Sequence, residues 1–267
     1  MGNKEEIRLE QAKKIIQNEL KKNVEINDDG TKPKMYDLRV GSSEKPEIAI
    51  EVTGAVNEEF TKTWNIGPAK GPLQFSSIQG DWVIEIAVET QIREFKQNIP
   101  QILKMLESQN RYLIRVDSSL QIHEPGWFGY LSSQGINFAS CVRKDGTGKV
   151  HYTLPGQGGP VSEQGTQVPQ WIGEFLRCDR CKNKLLKLKE SGLNICHMFI
   201  WVELYGAPWP VAYYLMGEMT NSPGRRPDLP QPVTGVWLVS TMHSYKGLRW
   251  DGTTWRVFRI PDDGINE

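Results

Sequence analysis

The chain has 267 residues, enough to bury a hydrophobic core without the help of disulfide bonds. Lysine plus arginine and aspartate plus glutamate both number 32, so a polybasic protein that holds nucleic acid by bulk charge is excluded, whereas a local basic cleft is not. A hydrophobic fraction of 38% with a charged fraction of 24% also excludes a disordered chain.

Cysteine usage and the N-terminal sequence bear on the cellular compartment. The chain has 4 cysteines, and most of its first half has none, which argues against a disulfide scaffold and favours a reducing environment. The N-terminus lacks the apolar segment of a secretory signal. No apolar run approaches the roughly 18 residues needed to cross a bilayer. We therefore expect a soluble, cytoplasmic protein without a membrane partner.

The first part of the chain predicts a helix followed by two strands. Apolar residues recur at spacings of three and four over residues 5–22, which predicts an amphipathic helix. Residues 35–40 predict a short strand. Residues 47–53, EIAIEVT, alternate in polarity and predict a second strand, on which Glu51 and Thr53 share one face.

The middle of the chain predicts an irregular segment and then a mixture of strands and a helix. Gly-Pro pairs in residues 61–75 exclude regular structure there. Asp145-Gly146 is a strong turn signal and predicts a hairpin of the strands on either side. The further predicted elements are strands at 82–88 and 111–117, a helix at 92–107, and the hairpin strands at 136–143 and 149–154.

The last part of the chain predicts one long helix and several buried strands. Apolar runs without alternation are typical of strands that are covered on both faces. The predicted elements are a helix at 168–190, strands at 197–203, 211–215 and 233–240, and a terminal hairpin about Asp251-Gly252. Together these elements predict an α/β protein with a mixed sheet flanked by helices.

Two carboxylates on neighbouring strands carry the most specific chemical signal. If residues 35–40 and 47–53 pair as a hairpin, Asp37 lies opposite Glu51. Two carboxylates that lie close together repel each other, and a hard divalent cation relieves the repulsion. Mg²⁺ held by one or two carboxylates and a substrate phosphate is a common arrangement, and it can activate water for phosphodiester hydrolysis.

These residues resemble the PD-(D/E)xK nuclease superfamily, whose pattern is a helix, a strand with Asp, and a strand that ends in Asp or Glu, any residue, and Lys. Tyr36-Asp37 stands where the family has Pro-Asp, and Glu51-Val52-Thr53 where it has Glu-x-Lys. The chain is also similar to uncharacterised bacterial proteins of this type in its IEVTGAV, TWNIGPAKGPL and HMFIWVE segments. The resemblance implies a restriction-endonuclease-like core over residues 1–66 and 167–260, with 67–166 as a β-rich insertion or as part of one integrated domain.

The resemblance also implies a function. It implies an endonuclease, a hydrolase that depends on Mg²⁺ or Mn²⁺. The substrate would be nucleic acid, DNA in preference to RNA, and the role would be defence or DNA processing. A homodimer is left open. Asp37 and Glu51 would be the metal ligands, and Thr53 would orient the attacking water. Glu19, or less favourably Glu10, would be a third carboxylate from the first helix.

The sequence departs from the family at Thr53, because a hydroxyl cannot act as the cation that the family lysine provides. Lys70 in the Gly-Pro loop and Lys184 in the predicted helix 168–190 are the candidates to replace it. Without such a lysine, the protein would be either a slow nuclease or an inactive relative that only binds nucleic acid or another protein. An unrelated α/β protein with a pocket in its tryptophan-rich C-terminal half is the third hypothesis.

Basic, aromatic and cysteine residues elsewhere in the chain are further candidates for binding sites. Lys70, Lys184 and the pair Arg225 and Arg226 are candidate contacts for a nucleic-acid backbone. The tryptophans of the C-terminal half could stack on bases, but packing in the core and in the hairpin explains them better. Cys178 lies on the apolar side of the predicted helix 168–190, and Cys196 and His197, the nearest further ligands, point to opposite faces of a strand, which favours core cysteines over a zinc site. The position of Cys178 and Cys181 in the middle of that helix argues against a redox pair.

Overall fold

The structure is a computed structural model that describes residues 4–28, 35–156, 165–203, 205–217, 219, 221–242 and 245–261. The chain divides into two compact units. The first unit comprises Met1–Val56 and Gln157–Glu267, and the second comprises Asn57–Gly156. In the sequence, the second unit is therefore one continuous segment between the two parts of the first. It begins and ends ten residues earlier than the insertion 67–166 that the resemblance implies.

Helices and strands are mixed along the chain, which is the α/β composition expected from the sequence. The α-helices of the described residues are α1 (Lys4–Leu20), α2 (Glu58–Ile66), α3 (Ile92–Ser108), α4 (Ser118–His123), α5 (Pro125–Ser133), α6 (Val168–Leu176), α7 (Lys182–Glu190) and α8 (Trp209–Met216). None of these helices in the described ranges combines the length and the apolar character needed to cross a bilayer.

The strands of the described residues form two mixed sheets. They are β1 (Val24–Ile26), β2 (Leu38–Gly41), β3 (Pro46–Ala55), β4 (Leu73–Gln74), β5 (Asp81–Ile86), β6 (Leu113–Arg115), β7 (Ile136–Arg143), β8 (Lys149–Thr153), β9 (Cys196–Val202), β10 (Gly235–Ser240), β11 (Lys246–Trp250) and β12 (Trp255–Arg259).

The sheet of the first unit has the order β1-β2-β3-β9-β10-β11-β12. Its three central strands, β3, β9 and β10, run parallel, and the outer strands pair antiparallel on either side. Every residue of β9 and β10 is buried, as their unbroken apolar sequences predict. The hairpin predicted about Asp251-Gly252 is present as the pair β11 and β12.

Helices cover both faces of this sheet, and the alternation of β3 assigns its side chains to the two cores. Ile48 and Ile50 belong to the core that α1 closes with Ala12, Ile15 and Ile16. Residues 49, 51, 53 and 55 point the other way, and Ala49 and Ala55 belong to the core formed with α6, α7 and α8. The predicted helix at the N-terminus and the predicted strand of residues 47–53 are thus both confirmed.

The sheet of the second unit has the order β4-β8-β5-β7-β6. The helix α3 packs on it, with the Phe95 and Tyr152 rings 5.3 Å apart and the Trp82 indole donating to Glu107 at 3.1 Å. The hairpin predicted for residues 136–154 is wrong, because β5 lies between β7 and β8 and pairs with both. The Asp145-Gly146 turn signal marks a chain reversal but does not specify which strands become neighbours.

Three further predictions about local structure are wrong. The helix predicted at 168–190 is two helices, α6 and α7, separated by a short 3₁₀ helix at Asp179–Cys181. The strand predicted at 211–215 is the helix α8, whose first turn contains Pro210, a position that favours proline. The segment predicted to be irregular includes most of α2, which Asn57 caps and which ends before the first Gly-Pro pair.

Candidate active site

Asp37 and Glu51 come together because β2 and β3 pair. The register aligns Leu38 with Ile50, so Asp37, which directly precedes β2, lies next to Glu51. The Oδ2 atom of Asp37 accepts a hydrogen bond of 2.7 Å from the backbone N–H of Val52. This bond fixes the Asp37 carboxylate against the strand that carries Glu51.

The Glu51 carboxylate is buried, with 0% of the residue exposed. Its Oε1 atom accepts no hydrogen bond from any residue that the structure describes. Burial and then the neighbouring charge of Asp37 raise the pKa of Glu51 to about 7, against the opposing effect of Lys184 and Lys187. A buried carboxylate with one unsatisfied oxygen is costly to maintain and often marks a functional site.

Lys184 extends from α7 to the same place. Its ammonium lies 3.2 Å from Glu51 Oε2 and 3.7 Å from Asp37 Oδ2, and it donates a hydrogen bond of 2.7 Å to the carbonyl oxygen of Val52. Three oxygen atoms from two chain segments thus surround one positive charge. Of Lys70 and Lys184, the two lysines predicted as the cation of the site, Lys184 is therefore the one that contacts both carboxylates.

Lys187 is a second lysine at the site, and it is not among the site residues predicted from the sequence. Its ammonium lies 3.6 Å from Glu51 Oε1, 3.8 Å from Asp37 Oδ1 and 3.1 Å from Asp28 Oδ2. Burial alone would lower the pKa of Lys187, but Glu51 and the two aspartates raise it above its usual value. The signal was present in the sequence, since residues three apart on a helix lie on the same side.

Thr53 follows the expected geometry, whereas the proposed third carboxylates do not. Thr53 lies on the same face of β3 as Glu51 and is 9% exposed. Glu19 belongs to α1, which packs on the opposite face of the sheet, where its charge acts on Arg249. Glu10 forms an ion pair of 3.2 Å with Lys13. The structure therefore brings neither Glu19 nor Glu10 to Asp37.

The remaining candidates for nucleic-acid contacts lie apart from one another in the chain. Lys70 is exposed and ends a short 3₁₀ helix of the second unit. Arg225 and Arg226 have exposed side chains in the first unit, and the carbonyl oxygen of Arg225 accepts a 2.7 Å hydrogen bond from the Trp255 indole. Trp237 is fully buried in the core, as the packing interpretation of the tryptophans expects.

The cysteine pair does not lie in the middle of a helix. Cys178 precedes the 3₁₀ helix and Cys181 directly precedes α7, so the pair spans the break between α6 and α7. The two sulfur atoms are 3.8 Å apart. Within the described ranges, no three or more histidine, cysteine or acidic residues come close enough to hold a metal ion.

The donor atoms around Glu51 suit a hard divalent cation. Two carboxylates and the Val52 carbonyl oxygen are oxygen ligands of the kind that Mg²⁺ and Mn²⁺ prefer, and Glu51 Oε1 is a buried oxygen without a hydrogen-bond donor. Mg²⁺ is commonly bound through only one or two carboxylates, with substrate phosphate and water completing its coordination. The residues present therefore fit such an ion.

No protein-family model, curated protein or solved structure matches the chain. The functional inference rests on the residues around Glu51.

Proposed function

We propose that the protein is a metal-dependent phosphodiesterase that cleaves nucleic acid, with DNA as the favoured substrate. The observation that carries the proposal is the convergence of Asp37, Glu51 and Lys184 on one face of the sheet. The order of a helix, an aspartate before one strand and a glutamate within the next also resembles the restriction-endonuclease-like nucleases. The first unit would be the catalytic core of that fold.

Asp37, Glu51 and the carbonyl oxygen of Val52 would hold Mg²⁺ or Mn²⁺. When bound, the ion supplies Lewis-acid polarisation of a phosphodiester and lowers the pKa of water. The Lys184 ammonium contacts these same three oxygens, so an ion and Lys184 compete for them. If the ion took these oxygens, the Lys184 ammonium would be free to donate hydrogen bonds to a phosphate oxygen or to the attacking water.

The two lysines then have separate roles. Lys184 supplies the positive charge that the Thr53 hydroxyl cannot provide, because its ammonium reaches the acidic pair from a different element. Lys187 contacts the unsatisfied Oε1 side of Glu51 and lowers the pKa of that carboxyl group against the effect of burial. Lys187 thereby favours the ionised form of Glu51 that a cation requires.

Cleavage assays test the proposal directly. The full chain is incubated with supercoiled, linear and single-stranded DNA and with RNA, in Mg²⁺ or Mn²⁺ and in EDTA. We expect cleavage that depends on the cation and that falls at least about 100-fold in Asp37→Asn and Glu51→Gln. Glu10→Gln is the matched control, since Glu10 pairs with Lys13 away from the site. Equal cleavage by all four proteins would refute the proposed site.

A second candidate function is a non-catalytic binding module, and one observation favours it. Lys184 and Lys187 together already pair with Asp37 and Glu51, so the acidic pair is neutralised without a cation. An ion-pair network of this kind can serve the fold alone. Binding of nucleic acid that is unaffected by EDTA, with no cleavage of any substrate, would support this function instead.

A further inference from the structure

The break between α6 and α7 brings two cysteines together beside the acidic site. Cys181 is fully buried, whereas Cys178 is partly exposed. Their sulfur atoms are in van der Waals contact at 3.8 Å, and a disulfide bond is about 2.05 Å long. The backbone N–H of Cys181 donates to the carbonyl oxygen of Cys178 at 3.0 Å, which keeps the turn tight. Modest side-chain and backbone adjustments would join the sulfurs.

The segment that contains these cysteines is attached at two points, one on β3 and one on Val56, the residue that follows β3. Arg180, between the cysteines, donates a hydrogen bond of 3.0 Å to the carbonyl oxygen of Val56. Lys184, three residues after Cys181, donates to the carbonyl oxygen of Val52 and contacts Glu51. A change in the turn between Cys178 and Cys181 is therefore transmitted to the strand that carries Glu51 and to the lysine that faces it.

We infer that Cys178 and Cys181 form a reversible disulfide, and that its formation displaces the first turn of α7 and withdraws Lys184 from the acidic pair. The oxidant is a small-molecule disulfide. Formation of the disulfide does not depend on the proposed function, whereas its effect on cleavage rests on that function.

The chemistry is thiol–disulfide exchange in two steps. The more accessible Cys178 attacks as a thiolate one sulfur of the small disulfide, whose S–S bond breaks and releases one thiolate. Deprotonated Cys181 then attacks the Cys178 sulfur, forms the protein disulfide and releases the second thiolate. Two protein thiols are oxidised by two electrons, and the small disulfide is reduced to two thiols that take up the two protons.

The environment of Cys181 favours the oxidised form. Burial, followed by the neighbouring Cys178, raises the pKa of Cys181 to about 12. Some cysteine pairs are strong oxidants because their reduced form is stabilised as a thiolate. Cys181 lacks this stabilisation, so the reduced form of the pair is not favoured in that way. Once formed, the disulfide should persist until a thiol reductant attacks the exposed Cys178 side.

Mass spectrometry tests the modification independently of catalysis. The full chain is treated with oxidised glutathione or with dithiothreitol, free thiols are alkylated, and peptides are mapped. We expect a link between Cys178 and Cys181 in the oxidised sample, with Cys141 and Cys196 alkylated. Absence of the link, or a stable glutathione adduct on Cys178, would overturn the inference.

Two further readouts test the coupling to α7. On oxidation, hydrogen exchange of the amides in the first turn of α7 should rise, and cleavage should fall at least about tenfold and recover with dithiothreitol. Cys178→Ser should abolish both responses, whereas Cys141→Ser, in the second unit, should keep them. Unchanged exchange despite a formed disulfide would refute the coupling. If the reduced protein cleaves nothing while exchange responds, the proposed function fails and this inference stands.

Discussion

Lys184 and Glu51 form an ion pair across 133 positions of sequence, with the ammonium 3.2 Å from the carboxylate. The pair exists because α7 packs against β3, on the face that Glu51 shares with Thr53. A cation therefore stands beside the acidic pair although β3 carries a hydroxyl, that of Thr53, two residues after Glu51.

Replacing Lys184 tests its proposed role. Lys184→Met keeps the aliphatic length of the side chain and removes the charge, so cleavage should fall at least about 100-fold. Lys182→Met is the matched control, because Lys182 is exposed on the same helix and pairs with Asp179. Rates are measured at saturating Mn²⁺. Equal losses in the two variants would argue against a specific role for Lys184.

A second-site substitution tests whether a positive charge at position 53 can replace the Lys184 ammonium. Thr53→Lys in the Lys184→Met background returns an ammonium to the face of Glu51, so part of the lost cleavage rate should return. Thr53→Met in the same background supplies the volume without the charge and should restore nothing. Rescue by both variants, or by neither, would contradict the exchange of roles between the two positions.

The buried Glu51 predicts a specific pH dependence of stability. Its pKa is about 7 in the folded protein and 4.5 ordinarily, so between these values the folded state binds the additional proton. The free energy of unfolding contributed by Glu51 therefore falls as pH rises from 4.5 to about 7, by on the order of 3 kcal/mol. Glu51→Gln should remove this fall, measured by urea denaturation across that pH range.

The comparison concerns the slope with pH, since Glu51→Gln also loses its contacts with Lys184 and Lys187. Lys187 does not titrate in this range, because its pKa is raised above 10.5. Asp37→Asn should shift the same transition of Glu51 to lower pH, since a neighbouring negative charge is removed. Parallel curves for wild type and Glu51→Gln would show that folding does not raise the pKa of Glu51.

Cation binding should stabilise the folded protein. Mn²⁺ at about 100 times its Kd contributes about 2.7 kcal/mol, which raises the Tm by roughly 5 °C or more. The rise should be larger at pH 8 than at pH 6, because the ion binds the ionised form of Glu51. Differential scanning fluorimetry checks this, and Asp37→Asn or Glu51→Gln should abolish the shift. Ca²⁺ serves as a comparison for ion selectivity.

Gly206 supports the end of the strand that carries Glu51. A Cβ atom at this position would lie 1.7 Å from the backbone oxygen of Ala55. That oxygen also accepts a hydrogen bond from Glu203, so the backbone cannot retreat freely. Gly206→Ala should lower the free energy of unfolding by about 1–3 kcal/mol. Gly224→Ala, with open space around its Cβ, should change it little in the same denaturation experiment.

Local sequence patterns determined the elements whose pattern is unambiguous. The stripe of Ala12, Ile15 and Ile16 predicted α1, and the alternation of EIAIEVT predicted β3 with Glu51 and Thr53 on one face. The unbroken apolar runs predicted β9 and β10. In each case the burial pattern repeats within a single segment, so the periodicity of that segment is sufficient to predict the element.

Only the tertiary structure decided how these elements come together at the site. The break at Asp179–Cys181 redirects the chain into α7, and the packing of α7 on β3 brings Lys184 and Lys187 to Glu51. The packing of α1 against Ile48 and Ile50 places Glu19 on the side of the sheet opposite to α7. Such contacts depend on which faces meet, and interactions between residues more than a hundred positions apart leave no periodic signal in the sequence.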